Sequence, residues 1–214
     1  MKPLIVTGTD TGIGKTMVCA MLMLALDGFY WKPIQSGTAD GTDRQHVAAL
    51  TGLPDARFLE ERYVLSQPLS PHRAAELDNT GIDPANLALP HGPEGRWLII
   101  EGAGGVLVPV TRQMLQITLF SRWRAPVIVV ARTSLGTINH TLLTLEALRR
   151  RDIAVLGVLF VGDAMPDNER TISEMGAVKR LGRLPILPTP NAASLREAFG
   201  SHFDRHDFEA AYGP

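Results

Sequence analysis

Apolar positions along the chain fall into two alternating rhythms. Short runs with no interior polar residue, "LIV" at 4–6, "WLII" at 97–100 and "VIVVA" at 127–131, read as strands covered on both faces. The pattern predicts strands over 4–7, 29–32, 97–101, 127–131, 155–161 and 184–187. Between them the apolar period lengthens to that of helices, predicted over 15–26, 43–50, 114–123, 138–150 and 169–180. Such alternation is the mark of an α/β fold, a mostly parallel central sheet flanked by helices. Residues 54–95, rich in Pro, Gly and charge, read as a loop-and-helix excursion. No repeat divides the chain, so 1–214 is expected to form a single domain. In such sheets ligands sit beyond the carboxyl ends of the strands, and that is where chemistry is sought.

Composition narrows the partners. A formal net charge of −1 without a long basic run gives no footprint for nucleic acid or an anionic membrane surface. No apolar run approaches the ~20 residues that span a bilayer, and no leader-like segment opens the chain. Cys19 stands alone, which excludes a disulfide framework and suits a reducing compartment; a cytoplasmic protein with small-molecule partners is expected. Cys19 itself reads as a buried structural thiol. Met17, Met21 and Met23 read as core residues of the first helix.

The first strand runs into "GTDTGIGKT" and then a helix. Strand, glycine loop, Lys-Thr and helix form the context of a phosphate-binding loop. Gly12 and Gly14 let backbone N–H groups converge on phosphate oxygens, Lys15 reaches the β and γ phosphates, and Thr16 joins a Mg²⁺ shell. Gly8 precedes Gly14 by six positions where the common motif has five, so Thr9 takes the first glycine's place.

Other strand ends add candidates. "WKPIQSG" places Lys32, Gln35 and Ser36 near the loop; Lys32 is either a second cation for a moving phosphoryl group or an ordinary exposed lysine. Asp43 opens the next helix, where capping with Thr42 is the plain alternative. Glu101, at the end of an apolar run and before three glycines, stands where a second Mg²⁺ ligand belongs, and burial would demand a metal or lysine partner. Gly136 and Thr137 begin a helix whose free N–H groups could receive a carboxylate, or Thr137 is simply its cap. His140, His46, His91, His202 and His206 lack ligand spacing and read as structural. His72 in "SPHRAAE" is a weak candidate for the cleft wall.

The motifs "TGTDTGIGKT", "KPIQSG", "SPH", "EGAGG" and "LGTINHTLLT" stand in one order from the N-terminus to about residue 145, and on them the sequence resembles the dethiobiotin synthetase family. Beyond residue 150 the likeness rests on element order and "GRLPIL". The resemblance implies a three-layer P-loop NTPase fold and a homodimer with its active site at the interface. It also implies a cyclo-ligase reaction: 7,8-diaminononanoate and CO₂ form a carbamate, the carbamate attacks the γ-phosphorus of ATP, and the second amine closes the ureido ring. Carried over by position, Thr16, Asp43 and Glu101 would hold Mg²⁺, and Gly12, Ile13, Gly14, Lys15, Gly102, Ala103 and Gly104 would join them around the nucleotide. Lys15, Lys32 and Thr11 would be catalytic, Thr11 and Ser36 would contact the carbamate end, and Gly136, Thr137, Ile138 and Asn139 would take the distant carboxylate across the interface. Gly162, Pro185, Ile186 and Leu187 would border the base.

One position departs from that family. Where an asparagine often reads adenine, "LFVGDAMPDN" has Val161 and Gly162, and a single side-chain hydrogen bond is worth about 0.5–1.5 kcal/mol. A nucleotide preference not strictly for ATP is the expectation. The competing reading is a regulatory ATPase switch of the ParA or MinD kind, whose early loop lysine is here replaced by Thr9, Asp10 and Thr11. A related amidase would need a glutaminase cysteine, a role Cys19 cannot fill.

Overall fold

The computed structural model describes residues 1–213. Seven parallel strands form the central sheet in the order β4-β2-β6-β1-β7-β8-β9. Their ranges are β1 Lys2–Gly8, β2 Phe29–Trp31, β4 Phe58–Leu59, β6 Trp97–Gly105, β7 Val127–Arg132, β8 Val155–Val161 and β9 Arg180–Leu184. The chain moves outward from β1 to β2 and β4, returns in β6, then crosses β1 to β7, β8 and β9. The winding therefore reverses at β1, the position at which open α/β sheets form their crevice.

Alternation along the strands sends residues to two cores. Leu4 and Val6 meet α1 (Lys15–Leu26), α2 (Asp43–Thr51), α7 (Ala192–His202) and α8 (Arg205–Glu209) through Cys19, Met21, Met23, Val47, Leu195 and Phe208. Ile5 faces α3 (Pro71–Leu77), α4 (Gln116–Trp123), α5 (Thr137–Arg149) and α6 (Pro166–Met175) through Ala74, Phe120, Leu145 and Ile172. The result is the three-layer arrangement that a sheet apolar on both faces requires. α1 is apolar nearly all round and buried over most of its length, as a helix between a sheet and two other helices must be. Among the described residues no helix is long and apolar enough to cross a membrane.

Several boundaries differ from expectation, each for a local reason. The last strand ends at Leu184, where it was expected to begin. Pro185 has no N–H for a ladder, and α6 stops at Met175 before Gly176, freeing Arg180 to pair beside Val158. β6 runs on through its glycines to Gly105, held against Gly8 of β1 across a register shift. β2 ends at Trp31, so Lys32 stands just outside it, before Pro33. The excursion over 54–95 contains α3, two 3₁₀ turns and two short strands, β4 and β5 (Tyr63–Leu65). β5 pairs in parallel with β3 (Ile34–Ser36) in a separate two-stranded sheet, a pairing too short to leave a periodic signal.

Candidate active site

β1 delivers the chain into a loop that bends through Gly12 and Gly14, both with positive φ (68° and 95°). At Gly14 a Cβ would also stand 2.9 Å from Val161 Cγ1, so the loop is seated on the end of β8 as tightly as glycine allows. α1 begins at once with Lys15 and Thr16, and its first amides lack intrahelical acceptors. Lys15 Nζ donates to the Asp10 carbonyl at 2.7 Å, while Asp10 accepts from the Thr11 N–H and from Arg132. The loop is thus braced across its own mouth.

Opposite the loop lies a cluster of charge. Lys32 donates to Asp43 and, at 3.2 Å, to Glu101 Oε1. The Thr16 hydroxyl lies 3.2 Å from Asp43 Oδ1 and 3.0 Å from Glu101 Oε1. Asp43 is the first residue of α2 and not its cap: Thr42 and Gln45 form a reciprocal capping box, and the Asp43 N–H donates to Gln35 Oε1. Glu101, only 1% exposed, accepts from the Tyr30 hydroxyl at 2.8 Å on its other oxygen. Burial alone would lower the Lys32 pKa, but Glu101 and Asp43 outweigh it and raise the ammonium above its ordinary value. Burial likewise pushes Asp43 upward, and Lys32 prevails, holding its carboxyl below the usual range. Lys15 is compensated only in part: burial draws its ammonium down, and the opposing pull of Glu101 does not make up the loss. Cys19 is fully buried, its thiol pushed well up by burial and then by Glu101, an inert group.

These groups border a cavity of about 600 Å³. Thr11, Gly12, Gly14, Lys15, Thr16, Lys32, Ser36, Asp43, Glu101, Ala103 and Gly104 all line it, as do Gln35, Val108 and a rim of Pro68, Leu69, Ser70 and Pro71. The Ser36 hydroxyl is buried with no partner. Thr16, Asp43 and Glu101 offer three hard oxygens, the donor set of Mg²⁺, which keeps waters and substrate phosphates in its shell and needs no closed cage. Among the described residues no group of three or more His, Cys, Asp or Glu forms such a cage.

Other candidates lie elsewhere. The Ile13 side chain is turned into the core beneath Gly8, and Gly102 faces Gln116 and Phe120. Gly136, Thr137, Ile138 and Asn139 stand at the start of α5 outside this cavity; Gly136 is the cap, with φ 91°, and the Thr137 hydroxyl is buried without a partner. Gly162, Pro185, Ile186 and Leu187 border the ends of β8 and β9, away from it. The Gly162 backbone is engaged within the protein, its carbonyl accepting from Arg183 and its N–H donating to Leu184. His72 is half-buried at the first turn of α3, where its neighbours Ser70 and Pro71 line the cavity in its place. His46, His91, His140, His202 and His206 are exposed rather than structural.

A second groove of about 400 Å³ meets the first at Thr11 and Val108 and is flanked by Leu107 and by His140 and Leu143 of α5. Sequence reasoning missed Tyr30, which reads as a plain strand aromatic. It also missed Gln116, whose buried amide accepts the Ala103 N–H at 2.7 Å and fixes the glycine stretch of β6. A polar residue at the head of an apolar helix was the available signal.

A glycine phosphate loop at the winding reversal of a parallel sheet, faced by a lysine held between two carboxylates, defines a P-loop nucleotide-dependent protein. A family profile described as an AAA domain matches residues 2–194. The ATP-dependent dethiobiotin synthetase BioD of Rhodopseudomonas palustris strain HaA2 is 58% identical over 209 residues, 97% of this chain and 96% of that protein. The protein of that name from Novosphingobium aromaticivorans is 54% identical over 97% of this chain and 100% of its own. The chain belongs to the dethiobiotin synthetase family.

Among solved structures, the Mg-ADP complex of the septum site-determining protein MinD from Pyrococcus horikoshii aligns with a TM-score of 0.56 at 14% identity, covering 92% of this chain and 86% of that one. A ParA family ATPase from Chlorobium tepidum aligns at 0.51 and 12%, covering 94% and 91%. At such identities these neighbours share the fold alone.

Proposed function

We propose that this chain is an ATP-dependent dethiobiotin synthetase, joining 7,8-diaminononanoate and CO₂ into the cyclic urea of dethiobiotin with release of ADP and phosphate. The observation that carries this reading is the group of Lys32, Asp43, Glu101 and Thr16 converging on the mouth of the phosphate loop, in a chain 58% identical to a dethiobiotin synthetase over nearly its whole length.

In this reading Gly12 and Gly14 open the loop to the triphosphate, and Lys15 exchanges the Asp10 carbonyl for phosphate oxygens. Lys32, kept charged by its carboxylates, neutralises the phosphoryl group as it moves. Thr16, Asp43 and Glu101 would hold Mg²⁺, which supplies charge neutralisation at the phosphates. Thr11 and Ser36 contact the carbamate end; the unpartnered Ser36 hydroxyl supports that role, since a buried hydroxyl without a bond is costly until a ligand supplies one.

The enzyme works in the cytoplasm as one domain and as a homodimer. The N-terminus of α5, with Gly136, Thr137, Ile138 and Asn139, receives the substrate carboxylate held on a second copy. The exposed Leu143 and Leu107 at the second groove, with the exposed Leu135 just before α5, support such an interface. With no base-reading asparagine at Val161 or Gly162, nucleotide choice is broader than ATP; turnover with ATP, CTP and GTP side by side tests this, and strict ATP preference would refute it. The decisive experiment measures phosphate release with and without diaminononanoate and bicarbonate. Release dependent on both, matched by dethiobiotin formed, is expected; release indifferent to the diamine favours the switch ATPase reading and overturns ours.

A further inference from the structure

Glu101 has two oxygens with different tasks. Oε1 faces Thr16 and Lys32 at the cavity, whereas Oε2 points down toward the sheet and accepts the Tyr30 hydroxyl at 2.8 Å. Tyr30 is fully buried, and its ring meets Phe58 edge-on at 6.3 Å. The register makes this contact a consequence of strand geometry. Tyr30 pairs with Ile99, and Glu101 is two residues further along β6 on the same face, a diagonal within reach of an aromatic side chain. Lys32, just past the end of β2, reaches the same carboxylate on its other oxygen. Tyrosine and lysine thus approach one carboxylate from below and from above.

We infer that Tyr30 is a positioning residue: its hydroxyl fixes the rotation of the Glu101 carboxylate so that Oε1 is presented to the cation site. This rests on the reading of Glu101 as a Mg²⁺ ligand. A terminal carboxylate torsion is broad, so packing alone does not fix the plane in which the group presents an oxygen to the cavity. A donor fixed on the ring of a buried tyrosine does. A phenol ordinarily gives up its proton only at about pH 10, so the hydroxyl is a donor across the working range. Nothing in the chemistry requires Tyr30 to touch substrate, and the cavity lining does not include it.

Tyr30→Phe removes one oxygen and keeps every ring contact. The readout is the gain in ADP affinity conferred by Mg²⁺, taken by calorimetry in Mg²⁺ and again in EDTA. Tyr30→Phe should cut that gain about fivefold to tenfold while binding in EDTA stays at the wild-type value. Glu101→Gln should remove most of the gain, and the double variant should be no worse than Glu101→Gln alone, because one residue acts through the other. An equal loss with and without Mg²⁺ would show a merely structural tyrosine and overturn the inference. So would an unaltered gain in Tyr30→Phe, or additive effects in the double variant. If Glu101→Gln itself kept the full gain, the cation reading of Glu101 would be the part that failed, and the inference would fall with it.

Discussion

Lys32 is where most of the electrostatic work of the site converges. Its ammonium separates two carboxylates, one of them almost wholly buried, so replacing it acts twice. Lys32→Ala should lower kcat by at least about 10², the scale of removing one charge-stabilising group. It should also lower the thermal midpoint of the nucleotide-free protein by bringing Asp43 and Glu101 into unrelieved repulsion. Paired measurements of turnover and unfolding check both, and wild-type rates would remove Lys32 from the mechanism. Asp43 carries the matching dependence on pH. Its folded carboxyl is held below the unfolded value of about 3.9, so the stabilisation is fully present above that pH and is lost as pH falls through the folded value. Thermal midpoints measured from pH 7 to pH 3 without divalent cation should decline from about pH 4 downward. Asp43→Asn should flatten that decline.

At the scale of elements, β9 shows how a strand can be fixed by what crosses it. Gly182 has φ 142°, and a Cβ there would lie 2.3 Å from the His202 carbonyl at the end of α7. Gly182→Ala should cost about 2–4 kcal/mol in denaturant unfolding, combining backbone strain with a steric clash. Turnover per folded molecule should be unaltered, because no cavity residue touches that contact.

The same strand marks the limit of what the sequence discloses. Its apolar signal lies at Leu184, but parallel pairing starts at Arg180, on residues whose alternation is weak. By contrast the centre of β1, the glycine loop and the start of α1 at Lys15 were legible, because an apolar run, positive-φ glycines and a helix start each leave a local mark; β1 only runs further at each end, from Lys2 to Gly8. Lys32 and Glu101 were legible as candidates for a similar reason, each ending a buried run. That they share one contact was not, since it depends on β2 and β6 being neighbours across 65 residues of intervening chain, the span from Trp31 to Trp97. Tyr30 was hidden by the same gap.

Over the whole molecule, the start of α5 and the cavity are separate within one chain, and the residues expected to share a substrate do not share a hollow. No sequence pattern reports geometry between copies, which is why that part of the site could be carried only by resemblance. If a second copy completes it, Leu143→Glu should yield a monomer by sedimentation that binds nucleotide normally and turns over at a small fraction of the wild-type rate. A dimer of full activity would place the interface elsewhere.

The far end of the chain bears on a different property. Tyr212 lies against Trp97 with a ring separation of 5.5 Å, its hydroxyl donates to the Pro3 carbonyl, and Lys2 lies over both rings. Lys2, Pro3 and Tyr212 are therefore neighbours at the end of the strands opposite the phosphate loop. A permuted gene that joins Tyr212 to Lys2 through a short glycine-serine tether and opens the exposed stretch 91–95 should encode a protein of unchanged circular dichroism that still binds ADP.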